Sequence, residues 1–388
     1  MLHHDVDGAD LVRSLGKTPP GVAPLEDRFR RSLPGGATFK NPILPAPSAD
    51  PWIIQHDGQY YSCESRHQDT LWIRKAKSFI DLEQDEGTMV WSAPAFGPNS
   101  RSLWAPELHR IQGKWYIYYA ADDGLNENHR MWVLESTTDD PAGPYRCRGT
   151  LDTSAWAIDG TVLQMPNGSL YFIWSGWPGK ENGQQHLYIA PMSNPWTLSA
   201  ERTLIAKPEH SWECVDMAIC EGPQILQNDG RTFVVYSASG SWTEDYCLGL
   251  VELEGGNPLK ASAWKKRGCV FCKTDYVWGI GHCCFVKSPD GAEDWIVYHA
   301  KSKRKKGWND RNVRAQKFTW TDAGFPDFGL PIPAGKPLPV PSGHTTVEVG
   351  LWGLHWRARR SVYLKNPGRR LNWPAGYSTS PRSTVSPG

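Results

Sequence analysis

Nowhere does this chain run for 18 apolar residues without interruption, and its first 40 residues hold no apolar stretch of signal-peptide length. No membrane partner is therefore expected. The chain as it begins here is expected in the cytoplasm, or outside the cell if a longer native N-terminus precedes it. Neither charge sign is in excess: 42 Lys and Arg stand against 41 Asp and Glu, a net charge of +1. That balance removes the electrostatic basis for a nucleic-acid or acidic-polymer partner. Helical periodicity longer than two turns is also missing, which argues against a helical core. Metal-ligand spacing is scarce, since of nine cysteines only Cys269 and Cys272 stand in a C-x-x-C interval. The odd number predicts buried free thiols. The adjacent pair Cys283-Cys284 follows His282, and alternation along a strand points one of the two inward.

What the chain has instead is 37 Gly, 31 Pro and 12% aromatic residues, the mixture of short strands joined by many turns. Five glycines sit in polar turns just before aromatic-rich strands: Gly58 (HDGQYYSC), Gly113 (IQGKWYIYY), Gly168 (PNGSLYFIW), Gly230 (NDGRTFVVY) and Gly291 (PDGAEDWIVYH). Their spacings of 55, 55, 62 and 61 residues are a repeat period. One small antiparallel sheet per repeat predicts an all-β, five-bladed β-propeller over residues 40–340. Residues 1–39 and 341–388, with no strand pattern, are expected as irregular, disordered tails. A propeller left open exposes a long sheet edge, so a segment near NPILP (41–45) or VRAQKFTW (313–320) is expected to complete a blade from the other terminus. Asn167-Gly-Ser169 is a glycosylation sequon on a hairpin turn, and the basic run 301–308 (KSKRKKGW) is expected to be a solvated loop.

The innermost strands of a propeller converge on one channel, so equivalent positions of distant repeats meet there. Counting back nine residues from the last four glycines reaches Trp104, Asp159, Glu221 and His282, and eight from the first reaches Asp50. Taken singly, an acid before Pro or Gly is an ordinary turn residue. A shared offset from the hairpin glycine is not expected of three turn residues, whereas a channel-lining trio requires it. Two carboxylates flanking a glycosidic bond suffice for hydrolysis, one donating a proton to the leaving oxygen and the other attacking or activating water. Acids from the first and fourth blades face each other across the channel, which favours the separation of roughly 6.5–9.5 Å used for inversion. The third acid then keeps the proton donor protonated by like-charge repulsion, so one of the trio should have a raised pKa.

ADPWI, LWAPELH, AIDGTVL, CEGPQIL and GIGHCCF, in this order and spacing over residues 40–335, resemble glycoside hydrolase family 43. These are five-bladed propeller enzymes acting on arabinose and xylose polymers. The resemblance implies Asp50 as general base, Glu221 as general acid and Asp159 as the residue that tunes and orients the acid, with inversion at the anomeric carbon. It also implies Trp104 as an apolar wall of the sugar subsite, against a purely core role, and Arg311 as the arginine reaching the sugar and the acid, with Arg314 as its competitor. Trp52 and Trp278 complete the expected substrate-binding set. His282 resembles a channel histidine that supports a calcium ion through water; hard cations prefer oxygen ligands, and no cofactor is required by the chemistry. Cys220, where many relatives have Asn, and the bulky Trp278 depart from the pattern and bear on the subsites.

The expected activity is an exo-acting, inverting α-L-arabinofuranosidase on arabinan, arabinoxylan or their oligosaccharides. β-Xylosidase and arabinanase remain alternatives on the same acids. A non-catalytic carbohydrate-binding propeller would be expected to lack an acid, and all three are present. Fructan hydrolases of the same shape would need an Asn-Asp-Pro-Asn-Gly type motif, which SADPWII does not supply.

Overall fold

The computed structural model describes residues 36–345. A short strand β1 (Thr38–Lys40) precedes the first blade, β2 (Trp52–His56), β3 (Gln59–Arg66), β4 (Thr70–Ala76) and β5 (Thr88–Ser92). The second is β6 (Arg101–Ile111), β7 (Lys114–Asp122), β8 (Arg130–Ser136) and β9 (Tyr145–Thr150). The third is β10 (Ala157–Gln164), β11 (Leu170–Gly176) and β12 (Gln184–Asn194), edged by β13 (Thr197–Leu198) and β14 (Thr203–Ala206). The fourth is β15 (Ala218–Asn228), β16 (Arg231–Ala238), β17 (Cys247–Leu253) and β18 (Trp264–Phe271). The fifth is β19 (Trp278–Lys287), β20 (Asp294–Lys301), β21 (Arg311–Trp320) and β22 (Pro326–Asp327), and β23 (Pro337–Pro339) follows. Each blade is an antiparallel meander. The longest helical piece among the described residues is the six-residue 3-10 turn Phe79–Gln84, and no helix is long and apolar enough to cross a membrane.

The repeat glycines mark the hairpins between the first two strands of each blade, and all five have positive φ, from 68° to 84°. At Asp57-Gly58, Gln112-Gly113 and Asp229-Gly230 two successive residues are left-handed, the type I′ geometry that matches strand twist. The second strands of blades two to five are buried on both faces, so period-two alternation sends side chains to two different neighbours. On β7, Ile117, Tyr119 and Ala121 pack toward the first blade while Tyr116, Tyr118 and Ala120 pack toward the third. Five apolar clusters fill the junctions between consecutive blades, the last joining blades five and one. A ring with all five junctions filled is closed.

Closure is made across the termini. Ile43 N–H donates to Val313 O at 2.8 Å, Val313 N–H returns to Leu44 O at 3.0 Å, and Asn41 completes the seam through its amide, bonding Ala315 O and N at 2.8 and 2.9 Å. NPILP thus adds itself to the strand containing VRAQKFTW, as edge protection demands. The same seam ties Ser48 N–H to Arg311 O at 3.0 Å, two residues before Asp50. The ordered fold also reaches into the segments expected as tails: β1 pairs with β23, and Ser342 Oγ lies 2.7 Å from Asp290 Oδ1. The remainder of both tails, 1–35 and 346–388, lies outside the described residues.

Candidate active site

A left-handed residue stands near the start of each inner strand: Asp50 (φ 51°), two residues ahead of β2, then Ala105 (40°), Asp159 (54°), Gly222 (53°) and His282 (46°), with Ser102 on β6 and Gly279 on β19 left-handed as well. Register shifts accompany Ala105, Asp159, Gly222 and His282, between Trp104 and Glu107, Ile158 and Thr161, Glu221 and Gln224, and Gly281 and Cys283. These β-bulges re-aim side chains at the rim of the channel. They also explain the offsets. Asp50, Ala105 and Gly222 stand eight positions before Gly58, Gly113 and Gly230, and Asp159 and His282 stand nine before Gly168 and Gly291. The offset at Asp50 is therefore no irregularity, and Glu221 occupies the position just before its bulge rather than the bulge itself.

Gly222 shows why the bulge needs its residue. Its φ is left-handed, and a Cβ there would sit 3.2 Å from the His282 ring and from Ser237 Oγ. Its N–H donates to Asp159 Oδ2 at 3.1 Å, joining the third and fourth blades at the acids.

Asp50 is surrounded by cationic and imidazole groups. Arg311 Nη1 is 3.1 Å from Oδ1, His299 Nδ1 3.2 Å and His282 Nδ1 3.4 Å. Burial pushes this carboxyl up, but Arg311, His282 and His299 together outweigh it and hold it well below the usual carboxylate range. Both imidazoles are lowered too, which for them favours the neutral form: burial lowers His282, and it pushes His299 down to about 4 against the pull of Asp50. Asp50 is thus an ionised carboxylate at neutral pH beside neutral imidazoles.

Glu221 is the opposite case. Burial pushes it up to about 7, with Asp50 adding to the rise, while the Tyr246 hydroxyl, donating to Oε1 at 2.7 Å, and Arg311 pull it back. Asp159 is raised well above its ordinary value by burial and by Glu221 and Asp50. Two acids, not one, are therefore raised. An ionised carboxylate and a protonated one in the same channel are the division of labour that acid–base hydrolysis requires.

A family model described as Glycosyl hydrolases family 43 matches residues 39–326. The chain belongs to glycoside hydrolase family 43. It is 36% identical over 307 residues to alpha-L-arabinofuranosidase 43 of Humicola insolens, covering 75% of this chain and 63% of that one. It is 35% identical over 313 residues to the extracellular exo-alpha-(1->5)-L-arabinofuranosidase of Streptomyces avermitilis, covering 77% and 64%. The chain thus spans a little under two thirds of the length of these two relatives. A solved alpha-L-arabinofuranosidase structure from Lactobacillus brevis superposes with a TM-score of 0.72 at 34% identity, covering 77% of this chain and 98% of that one.

Within this family 43 propeller the other predicted residues separate. Arg311 joins Asp50, whereas Arg314 is fully buried and spends its guanidinium on Asn312, Ser302 and the carbonyls of Lys301 and Ile332. Trp104 is half-buried at the rim, stacked on His129 with ring centroids 4.0 Å apart. Trp52 turns toward the second blade. Its N–H donates to Leu108 O at 2.7 Å and its ring packs on His109, one step deeper, where it lines a cavity of about 330 Å³ with Gln224 and Cys284. Trp278 opens β19 opposite Lys301. Cys220 is buried between the third and fourth blades, so this departure from the family pattern packs away from the channel. All nine cysteines are free, but only five are buried, Cys147 and Cys214 being exposed; Cys284 lines the channel cavity at the junction of blades five and one, and Cys283 packs between blades four and five.

The protein groups around His282 are too few to enclose a calcium ion without water ligands. Ca²⁺ takes six to eight oxygens, while His282 Nδ1 is directed at Asp50 and Asp159, 3.4 and 4.0 Å away. Among the described residues no group of three or more His, Cys, Asp or Glu is arranged to hold an ion.

His299 and Tyr246 escaped the sequence reading because neither lies on an inner strand. His299 is on β20 and Tyr246 ends the loop before β17. Their signal was the Gly-Ile-Gly before His282. Gly281 is the register partner of His299, and a Cβ on it would fall 2.0 Å from the Tyr246 ring. The bare backbone there makes room for both rings.

Proposed function

We propose that this chain is an inverting, exo-acting α-L-arabinofuranosidase that removes terminal arabinofuranosyl residues from arabinan, arabinoxylan or their oligosaccharides. The observation that carries the reading is the pair of carboxylates in one channel, Asp50 held by Arg311, His299 and His282 and Glu221 held by the Tyr246 hydroxyl. Glu221 gives its proton to the glycosidic oxygen as the bond to the anomeric carbon breaks. A water on the opposite face of the ring attacks that carbon and passes a proton to Asp50. Glu221 is left ionised and Asp50 protonated, and exchange with solvent restores both. Asp159, accepting the Gly222 N–H next to the acid, positions Glu221, while burial and Asp50 keep that acid protonated.

The choice of arabinose over xylose rests on the two relatives and the solved structure named above. A panel of nitrophenyl α-L-arabinofuranoside, nitrophenyl β-D-xyloside and debranched arabinan tests it. Arabinofuranoside cleavage with single-residue release from arabinan supports the reading, and preference for the xyloside or for internal cleavage overturns it. Because two carboxylates supply both proton transfers, no cofactor is required. Dialysis against EDTA is expected to leave kcat/KM within about twofold, and its loss with recovery on adding Ca²⁺ would contradict this.

A further inference from the structure

The rim above blades four and five carries two tryptophans that the acid chemistry leaves unused. Trp242 lies on the loop between β16 and β17, and Trp308 on the loop between β20 and β21. Their rings meet edge to face with centroids 5.8 Å apart, and the Trp308 N–H donates to Ser241 Oγ at 3.1 Å. Trp308 is nevertheless 52% exposed. A large aromatic side chain tied at its N–H and open on the rest of its surface is an unusual use of a surface position.

The two loops are fastened from below. Lys301 is completely buried, and its ammonium donates to the carbonyls of Trp242, Thr243 and Lys305 at 2.7, 3.0 and 3.4 Å. Gly307 N–H adds a bond to Trp242 O at 2.7 Å. The Trp242 indole N–H donates to Asp216, which also pairs with Lys306 at 2.7 Å. The basic run 301–308 is thus not simply a solvated loop; its first residue is a buried clamp and its last is the exposed ring.

Position gives the platform its use. The loop that carries Trp242 ends in Tyr246, whose hydroxyl holds Glu221. Arg311 Nε donates to Trp308 O at 3.3 Å while its Nη1 holds Asp50. The proton donor faces the leaving oxygen, so the sugar that departs lies on the donor's side of the cleaved bond. Fixed aromatic surface on that side meets the apolar C–H face of a sugar ring without an ordering cost at binding. Resting on the glycosidase reading above, we infer that Trp308, braced by Trp242, forms the subsite for the leaving-group sugar ring. It is a specificity residue for the oligosaccharide linkage and takes no part in bond cleavage.

The test compares two substrates in wild type, Trp308→Ala and Trp308→Phe. One is α-1,5-linked arabinobiose, whose leaving group is a sugar; the other is α-L-arabinofuranosyl fluoride, whose leaving group has no ring. Trp308→Ala should lower kcat/KM on arabinobiose by about tenfold and change it less than about twofold on the fluoride, and Trp308→Phe should keep most of the arabinobiose activity. Equal losses on both substrates would mean that the ring only supports the site, and no loss on either would mean that it touches nothing; both overturn the inference. A wild type that cleaves neither substrate would instead overturn the arabinofuranosidase reading itself.

Discussion

Tyr246 and His299 lie face to face, ring centroids 5.5 Å apart and planes 9° from parallel, and each holds one of the two opposed carboxylates. The Tyr246 hydroxyl donates to Glu221, and His299 Nδ1 lies 3.2 Å from both the backbone nitrogen and Oδ1 of Asp50. The stack therefore fixes the acid relative to the base. Neither ring needs to touch the sugar to do so.

Replacing Tyr246 by Phe removes a donor to the ionised form of Glu221. Burial, which already pushes this group up to about 7, would then act against less opposition, and its pKa rises. Since the general acid works when protonated, the alkaline limb of the kcat/KM profile should move upward by about one pH unit. An unmoved or lowered limb in a folded variant would contradict the assignment of Glu221.

Arg311→Ala acts on the other side. Burial raises Asp50 and Arg311 is the largest influence lowering it, so removing the guanidinium raises the pKa of a base that must be ionised. The acid limb should enter the measurable range, with activity at pH 5 falling more than activity at pH 7. A uniform loss across pH would assign Arg311 to sugar binding alone.

Glu221→Gln should separate chemistry from stability. General acid catalysis is worth roughly 10²–10⁴-fold, so cleavage of natural linkages should collapse while a dinitrophenyl arabinofuranoside, whose leaving group needs no proton, loses far less. The same change should stabilise the fold at alkaline pH. Below the ordinary 4.5 the group is neutral in both states; above about 7 it is ionised in both, and the native state bears the cost of the buried charge. At roughly 1.4 kcal/mol for each tenfold change in proton affinity, removal of that charge contributes on the order of 3 kcal/mol at pH 8. Thermal melts at pH 4 and pH 8 check this, with the gain confined to the higher pH.

Gly281→Ala tests the space behind the stack. A methyl 2.0 Å from the Tyr246 ring forces that ring to move, and overpacking of this kind costs about 1–3 kcal/mol. Urea denaturation should show the loss, and activity should fall by more than the change in folded fraction explains.

The ring and its acids were legible in the sequence because hairpin turns with positive φ select glycine. Those glycines keep a near-constant distance to the start of each inner strand. Depth was not legible in the same way. Trp52 shares the strand phase of Asp50, yet sits one layer further down the channel against His109, since periodicity records which face a residue occupies and not how far along the channel it lies. His299, Tyr246 and Trp308 come from a second strand and from rim loops, whose lengths follow no repeat. Only the glycines that make room for them carried a trace.

The most direct test is proton NMR of the arabinose first released from an α-L-arabinofuranoside, recorded before mutarotation. Water delivered by Asp50 from the face opposite the leaving group predicts that the β-anomer appears first. The α-anomer appearing first would mean retention, and would contradict Asp50 as the base and the division of roles between it and Glu221.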